Sequence, residues 1–199
     1  VFVSPLKRAM ESADIMFPKN NKVVIDNFIE YNFGEFEECT AEDLKDNDDF
    51  KQWLHGDINS RPPYGESNAE FTHRVCKAFE QVVNGCIATG TQDFAIVTHA
   101  GVIMTILQYY GLPEAPMSHW QMDAGYGYKL RITPSLWMKA NKIEVIDPPR
   151  RALIKRTDSV PEISPLPLSR EGVRLWRAVR LYRSRYTLLK GAIYFSFIT

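Results

Sequence analysis

The segment "DFAIVTHAGVIMTILQYYG", residues 93–111, decides the fold because it passes directly from a strand into a helix. Its first part is an apolar run typical of a buried strand, and its last part repeats apolar residues at helical spacing. Gly111 suits the end of that helix. Between the strand and the helix stands His99, which is either a satisfied turn histidine or a functional group.

A second segment has the same form. "VFVSPLKRAMESADIMF", residues 1–17, begins with a short apolar strand and continues with apolar residues at helical spacing. Ser4 suits the N-cap of this helix, and Pro5 suits its first position. Strands that alternate with helices predict an α/β fold, here a three-layer α/β/α sandwich around a mostly parallel sheet.

The rest of the chain predicts further elements. Residues 65–85 predict a helix, with Ser67 and Glu70 as a capping box at its start. The stretch "KVVIDNF", residues 22–28, predicts a short strand, and residues 125–146 predict two strands joined by a turn. Residues 45–64 are expected to have little regular structure.

Composition and charge exclude several classes of protein. The 199 residues are 45% hydrophobic and 24% charged with zero net charge, so nothing draws the whole chain to nucleic acid. The three cysteines form no disulfide or metal pattern, which favours a cytoplasmic protein, and the apolar run at 191–199 is too short to span a membrane. The charge is uneven: residues 1–150 hold 14 basic and 21 acidic residues, whereas residues 151–199 hold 10 and 3.

The two strand-to-helix turns are the candidate functional site. In an open parallel sheet, ligands bind outside the carboxyl ends of the strands, where helix N-termini meet and favour anions. Arg8 follows the first turn and His99 stands in the second, and these two residue types suit a phosphate group. We therefore expect a phosphate site at this edge of the sheet, with no metal and no cofactor.

Four segments then occur in an order found in one known family. They are "SPLKRA" at 4–9, "FIEYNFGEFEE" at 28–38, "PPYGES" at 62–67 and "IVTHAGVI" at 96–103. With them the chain resembles branch 1 of the histidine phosphatase superfamily, which includes the cofactor-dependent phosphoglycerate mutases and the α-ribazole phosphatases. The resemblance covers roughly residues 1–147 and implies the phosphoglycerate mutase-like form of the α/β sandwich.

The resemblance implies roles for individual residues. Arg8 would bind the transferred phosphate, Glu30 would donate the proton to the leaving group, and His99 would be the second catalytic histidine. Three further residues are implied to bind the substrate, Ser4, Ala100 and Glu66. For Glu66, a purely structural role in a turn is an equal alternative. Members of the family form a phosphohistidine, so the implied partner is a small phosphorylated substrate or inorganic phosphate. The sequence leaves monomer and homodimer open.

The chain departs from the family at the nucleophile. The resemblance places the attacking histidine in an Arg-His-Gly segment after the family's first strand, and none of the four histidines stands in such a segment. The domain at 1–149 is therefore expected to lack that strand. Residues 150–199 resemble a degenerate copy of the family's opening third, with Lys155 or Arg156 in the nucleophile's place and "GAIYFSF", residues 191–197, as a strand.

Two readings of this basic segment stay open, and so do the functions. Residues 150–199 are either a permuted piece that supplies the missing central strand or the start of a truncated second copy. The first functional hypothesis is a metal-independent phosphomonoester hydrolase acting on a small phosphorylated metabolite. The alternative is a catalytically inactive member, or a fragment of an active one, that binds a phosphate-bearing ligand or a protein.

Overall fold

The computed structural model describes residues 1–123, 125–151 and 192–197. The strands are β1 (Phe2–Val3), β2 (Val23–Val24), β3 (Asp93–Val97), β4 (Gly111–Leu112), β5 (Tyr126–Ile132), β6 (Ile143–Arg151) and β7 (Ala192–Phe197). The α-helices are α1 (Lys7–Met16), α2 (Asp48–His55), α3 (Asn68–Thr89), α4 (Ala100–Tyr110) and α5 (Pro134–Ala140). Short 3₁₀ turns occupy Asp26–Phe28, Gly34–Phe36 and Met117–Trp120.

The seven strands form one sheet in the order β2-β1-β3-β7-β5-β6-β4. The pairs β1–β2, β1–β3, β4–β6 and β5–β7 are parallel, whereas β3–β7 and β5–β6 are antiparallel. In the parallel pair that carries both strand-to-helix turns, Phe2 lies opposite Ile96 and Val3 lies opposite Val97. The sheet is therefore mostly parallel, as predicted.

Successive residues of β1 and β3 face opposite sides of this sheet, as the strand period requires. On one side, a small core is made by Val3, Val97, Ala9 and Ala13, the last two from α1. On the other side, Phe2, Phe94 and Ile96 join a larger core built with residues of α3, α4 and α5. Helices cover both faces, which confirms the three-layer α/β/α arrangement.

The helix predicted at 65–85 is confirmed in its start and extended at its end. Ser67 is the N-cap of α3, its side chain accepts from the Glu70 backbone N–H, and the Glu70 carboxylate accepts from the Ser67 N–H. The helix continues to Thr89 and stops at Gly90, whose φ of 67° lies in the left-handed region that favours glycine.

Three sequence predictions were wrong. Helix α1 begins at Lys7 with Leu6 at the N-cap position and no side-chain cap, so Ser4 and Pro5 both precede the helix, and the Ser4 Oγ accepts from the Leu6 N–H and not from an N–H within the helix. Residues 45–64 contain α2, which the Asn47 side chain caps and whose Phe50 and Trp53 are buried. The turn expected within 125–146 is α5, which has Pro134 in its first turn and buries Trp137.

The strand predicted at 191–197 is confirmed as β7, and it lies in the middle of the sheet between β3 and β5. It runs antiparallel to β3, with Ala192 opposite Val97 and Ser196 opposite Asp93. The suggested nucleophile positions, Lys155 and Arg156, lie outside the described residues.

Candidate active site

The first feature of the site is a buried contact between the two strand-to-helix turns. Because β1 and β3 are parallel neighbours, Ser4 and His99 lie at the same edge of the sheet, and the Ser4 N–H donates to the Val97 carbonyl at 3.0 Å. The Ser4 Oγ and the His99 Nε2 are 2.7 Å apart, and both residues are fully buried. The same Oγ accepts from the Leu6 N–H at 3.4 Å, just before the first residue of α1.

The second feature is the N-terminus of α4, where His99 occupies the N-cap position without using its side chain as a cap. The Gly101 N–H instead donates to Glu30 Oε2 at 3.3 Å, and the Tyr31 N–H donates to Glu30 Oε1 at 3.0 Å. A carboxylate is favoured at a helix N-terminus, where the first N–H groups have no partner within the helix. Glu30 therefore reaches His99's helix from a loop 71 residues earlier in the chain.

The four residues Thr98 to Gly101 each have a place in this arrangement. The Thr98 hydroxyl donates to the Phe28 carbonyl at 2.7 Å, which ties the end of β3 to the loop that carries Glu30. Ala100 is the first residue of α4 and is buried. A Cβ on Gly101 would lie 2.5 Å from Glu30 Oε1, so only glycine allows the carboxylate to approach here.

Arg8 lies in the first turn of α1, just beyond the end of β1. Its side chain is partly buried, and its backbone carbonyl accepts from the Ser12 hydroxyl at 2.7 Å. Topology places the start of α1 at the edge of the sheet where β3 ends and α4 begins. The structure thus brings Ser4, His99, Ala100 and Glu30 together and places Arg8's helix at the same edge.

Glu66 is held within the protein. Its Oε1 accepts from Arg74 Nη2 at 2.6 Å and from the Asn32 N–H at 2.8 Å, and its Oε2 accepts from Arg74 Nε at 2.9 Å. The Tyr31 hydroxyl donates to the Glu66 backbone carbonyl at 2.6 Å. Burial raises the pKa of Tyr31 to about 12, so this hydroxyl keeps its proton at neutral pH.

Arg74 is the residue of this region that sequence reasoning missed. It lies on α3 three residues after Phe71 and one before Val75, both of which are buried. An arginine next to the apolar stripe of a helix is the signal that was available, because such a charge usually needs a partner within the fold.

Two further observations concern the part of the chain that the structure describes. No group of three or more His, Cys, Asp or Glu side chains there is arranged so that it could hold a metal ion. Among the described helices, none has the length and apolar character needed to cross a membrane.

Comparison with known proteins gives the family. The sequence model of the family described as "Histidine phosphatase superfamily (branch 1)" matches residues 1–141. The chain belongs to this superfamily. Its α/β sandwich is therefore the phosphoglycerate mutase-like fold that the four motifs predicted.

One solved structure that is similar to the chain is described as an alpha-ribazole-5'-P phosphatase from Escherichia coli K-12 MG1655. The two share 20% sequence identity with a TM-score of 0.44, over 59% of this chain and 59% of that one. The chain thus spans about three fifths of that structure. No curated protein matches the sequence significantly.

Proposed function

We propose that this superfamily member takes part in the metal-independent hydrolysis of a phosphomonoester, with a small phosphorylated metabolite as substrate. One observation carries the proposal: a buried histidine and a carboxylate from distant segments meet at the N-terminus of one helix. His99 begins α4, and Glu30 accepts from the Gly101 N–H within it. Helix N-termini favour phosphate, and a carboxyl group beside one is placed to exchange a proton with a bound phosphoester.

Each proposed role follows from residue chemistry. Arg8 and His99 stabilise the charge on the phosphoryl oxygens, which is the main task of a protein in phosphoryl transfer. Glu30 gives a proton to the leaving oxygen as the bond from phosphorus to that oxygen breaks. The resulting carboxylate then accepts a proton from the water whose oxygen forms the new bond to phosphorus, so that one water is consumed and phosphate is released. The first attack on phosphorus belongs, by family resemblance, to an Arg-His-Gly histidine that these 199 residues do not contain.

A second candidate, phosphate binding without turnover, is favoured by the direction of β7. This strand is antiparallel to β3, so Ala192 lies at the edge where His99 stands and Phe197 lies toward the opposite edge. The end of β7 therefore lies away from the site, whereas a strand parallel to β3 in this place would end beside His99. In this candidate, Arg8 and His99 hold a phosphate group that is not transferred.

The test measures hydrolysis of p-nitrophenyl phosphate in EDTA, together with thermal stability in inorganic phosphate. His99→Ala removes the proposed site, and His73→Ala on the exposed face of α3 is the matched control. Hydrolysis that resists EDTA, persists in His73→Ala and disappears in His99→Ala supports the hydrolase. Phosphate stabilisation that needs His99, without any turnover, supports the binding candidate. If the parent chain shows no turnover and phosphate does not stabilise it, both candidate functions are wrong.

We also propose that β7 completes the sheet of residues 1–149 with its direction reversed relative to β3, and that residues 150–199 do not begin a second domain. The support is that β7 pairs with β3 on one side and with β5 on the other. Proline cannot donate to a sheet and is not tolerated in a central strand. Tyr194→Pro should therefore unfold the whole domain or lower its melting temperature strongly. An unchanged melting transition in this variant would favour the truncated second copy.

A further inference from the structure

Arg74 of α3 connects two parts of the site region through its guanidinium group, the Glu66 carboxylate and the turn at residues 27–30. Its Nε donates to Glu66 Oε2 at 2.9 Å, and its Nη2 donates to Glu66 Oε1 at 2.6 Å. Its Nη1 donates to the carbonyls of Asn27 and Ile29, both at 2.8 Å, and Nη2 also donates to the Glu30 carbonyl at 3.1 Å. All five N–H donors of the side chain are therefore used, which lysine, with three donors and no planar fork, cannot reproduce.

The environment of this cluster favours its hydrogen bonds over contacts with water. The Arg74 and Glu66 side chains are 18% and 14% exposed, so solvent competes little for their hydrogen bonds. The guanidinium carbon also lies 4.8 Å from the centre of the Phe71 ring, within the range of a cation–π contact. A charge pair that is largely buried is costly to break, because the remaining partner keeps an uncompensated charge.

The carbonyls that Arg74 holds belong to the turn that presents Glu30. Arg74 donates hydrogen bonds to the carbonyls of residues 27, 29 and 30, and the Thr98 hydroxyl donates to the carbonyl of Phe28. The backbone of this turn is thus fixed by α3 through Arg74 and by the end of β3 through Thr98. The direction in which the Glu30 side chain leaves the turn follows from these contacts, and it leads to the Gly101 N–H.

We infer that Arg74, paired with Glu66, is a positioning residue that sets the Glu30 carboxyl group at the N-terminus of α4. This inference rests on the proposed function, in which Glu30 is the proton donor. It also gives Glu66 a role distinct from substrate contact, because that carboxylate orients Arg74. All five N–H donors of Arg74 go to Glu66 and to the backbone of residues 27–30, so it acts through Glu30 and not on the substrate.

The first experiment compares two substrates that differ in their need for a proton donor. The p-nitrophenolate leaving group departs without much protonation, whereas an alkoxide from an alkyl phosphate needs a full proton. If Arg74 positions Glu30, Arg74→Lys lowers kcat for an alkyl phosphate by about tenfold or more, a part of the effect expected from losing a general acid. Its kcat for p-nitrophenyl phosphate and both KM values change much less.

The controls separate positioning from general damage. Arg61→Lys alters the exposed Arg61–Glu70 ion pair, which has the same residue types outside the cluster, and should leave both rates unchanged. Glu30→Gln should show the same substrate preference as Arg74→Lys, and combining the two should add little. An equal loss on both substrates would overturn the inference, because a merely structural role lowers both rates together. If Arg74→Lys does not fold, Glu66→Gln replaces it, with the same expected pattern.

A second readout decides the inference even if the parent chain hydrolyses neither substrate, a result that would count against the proposed function alone. The backbone amide resonance of Gly101 reports its hydrogen bond to Glu30. Glu30→Gln should move this resonance, Arg74→Lys and Glu66→Gln should move it in the same direction, and Arg61→Lys should leave it in place. A Gly101 resonance that moves in Glu30→Gln but not in Arg74→Lys or Glu66→Gln would overturn the positioning role.

Discussion

The first backbone N–H groups of α3 and α4 find their hydrogen-bond partners in different ways. At α3, Ser67 and Glu70 satisfy each other's backbone N–H groups within four consecutive residues. At α4, the N-cap His99 uses its side chain on Ser4 instead, and the Gly101 N–H receives a carboxylate from Glu30. The first arrangement is local and complete, whereas the second is assembled from three distant segments.

This difference separates a structural helix start from a functional one. A capping box needs nothing from outside the helix, so its purpose ends with the stability of that helix. The start of α4 brings a buried imidazole and a carboxylate to N–H groups that favour anions. Changes at α4 should therefore act mainly on activity, and changes at α3 mainly on stability.

The largest effect is expected from Gly101→Ala. The new Cβ would lie 2.5 Å from Glu30 Oε1, and that carboxylate can move away cheaply because it is the end of a flexible side chain. We expect kcat for an alkyl phosphate to fall by about 100-fold, the lower range for loss of a general acid. The melting temperature should hold or rise, since alanine is the better helix residue by up to about 1 kcal/mol.

Gly85→Ala in α3 is the matched control for Gly101→Ala. A Cβ at Gly85 meets nothing within 4 Å, and the residue lies inside the helix. We expect it to raise the free energy of unfolding by about 0.5–1 kcal/mol with unchanged activity. Equal activities for the two variants would contradict the functional reading of α4's N-terminus.

The next effect is expected from Thr98→Val, which keeps the shape of the side chain and removes its hydroxyl. The Phe28 carbonyl loses its 2.7 Å hydrogen bond in a buried place, at a cost of about 1–3 kcal/mol in unfolding free energy. Urea unfolding followed by circular dichroism measures this loss. Activity on an alkyl phosphate should fall as well, because the Phe28 carbonyl belongs to the turn that presents Glu30.

Thr105→Val on α4 is the corresponding control. The Thr105 hydroxyl is fully buried and makes no hydrogen bond within the described residues. Replacing it by a methyl group should be neutral or stabilising, since an unsatisfied buried hydroxyl is itself unfavourable. If Thr98→Val and Thr105→Val unfold at the same urea concentration, the Thr98 hydrogen bond contributes nothing.

A smaller effect is expected from Ser67→Ala. The variant removes the side-chain acceptor of the Glu70 N–H and should lower the unfolding free energy by about 1 kcal/mol, as for other N-caps. Stabilisation by inorganic phosphate should stay as in the parent, because this cap lies outside the proposed phosphate site at the N-terminus of α4. A loss of phosphate stabilisation in Ser67→Ala would erase the distinction between the two helix starts.

The same contrast explains what the sequence could predict. The Ser67 and Glu70 capping box was predicted because all of its partners lie within one helical turn. The N-cap assigned to Ser4 was wrong, although serine followed by proline is a good local signal, since the helix begins only at Lys7 and the Ser4 hydroxyl bonds to the Leu6 N–H and to His99, 95 residues away. Local patterns identify what a residue can do, and the fold decides which partner it has.

The missed helices have a related cause. Helix α2 is short and acidic, and its helical character comes from the Asn47 cap and from burial of Phe50 and Trp53 against the core. Helix α5 has only seven residues, which is too short for a clear periodicity. In the site, family motifs indicated His99, Glu30 and Arg8, but Arg74's contacts with four other residues could be seen only in three dimensions.

The smallest effect expected at these helix starts is the pH dependence of α3. The Ser67 backbone N–H, and then its hydroxyl and Arg61, hold the pKa of the Glu70 carboxyl below its ordinary value of 4.5. A carboxyl with a lowered pKa in the folded state contributes stability above its unfolded pKa and loses it as the pH falls through the folded value. Glu70→Gln keeps a capping side chain without the charge, so it should melt slightly below the parent at neutral pH. This difference should shrink as the pH falls from 4.5 downward; a constant difference would mean that the shape of the cap matters there and its charge does not.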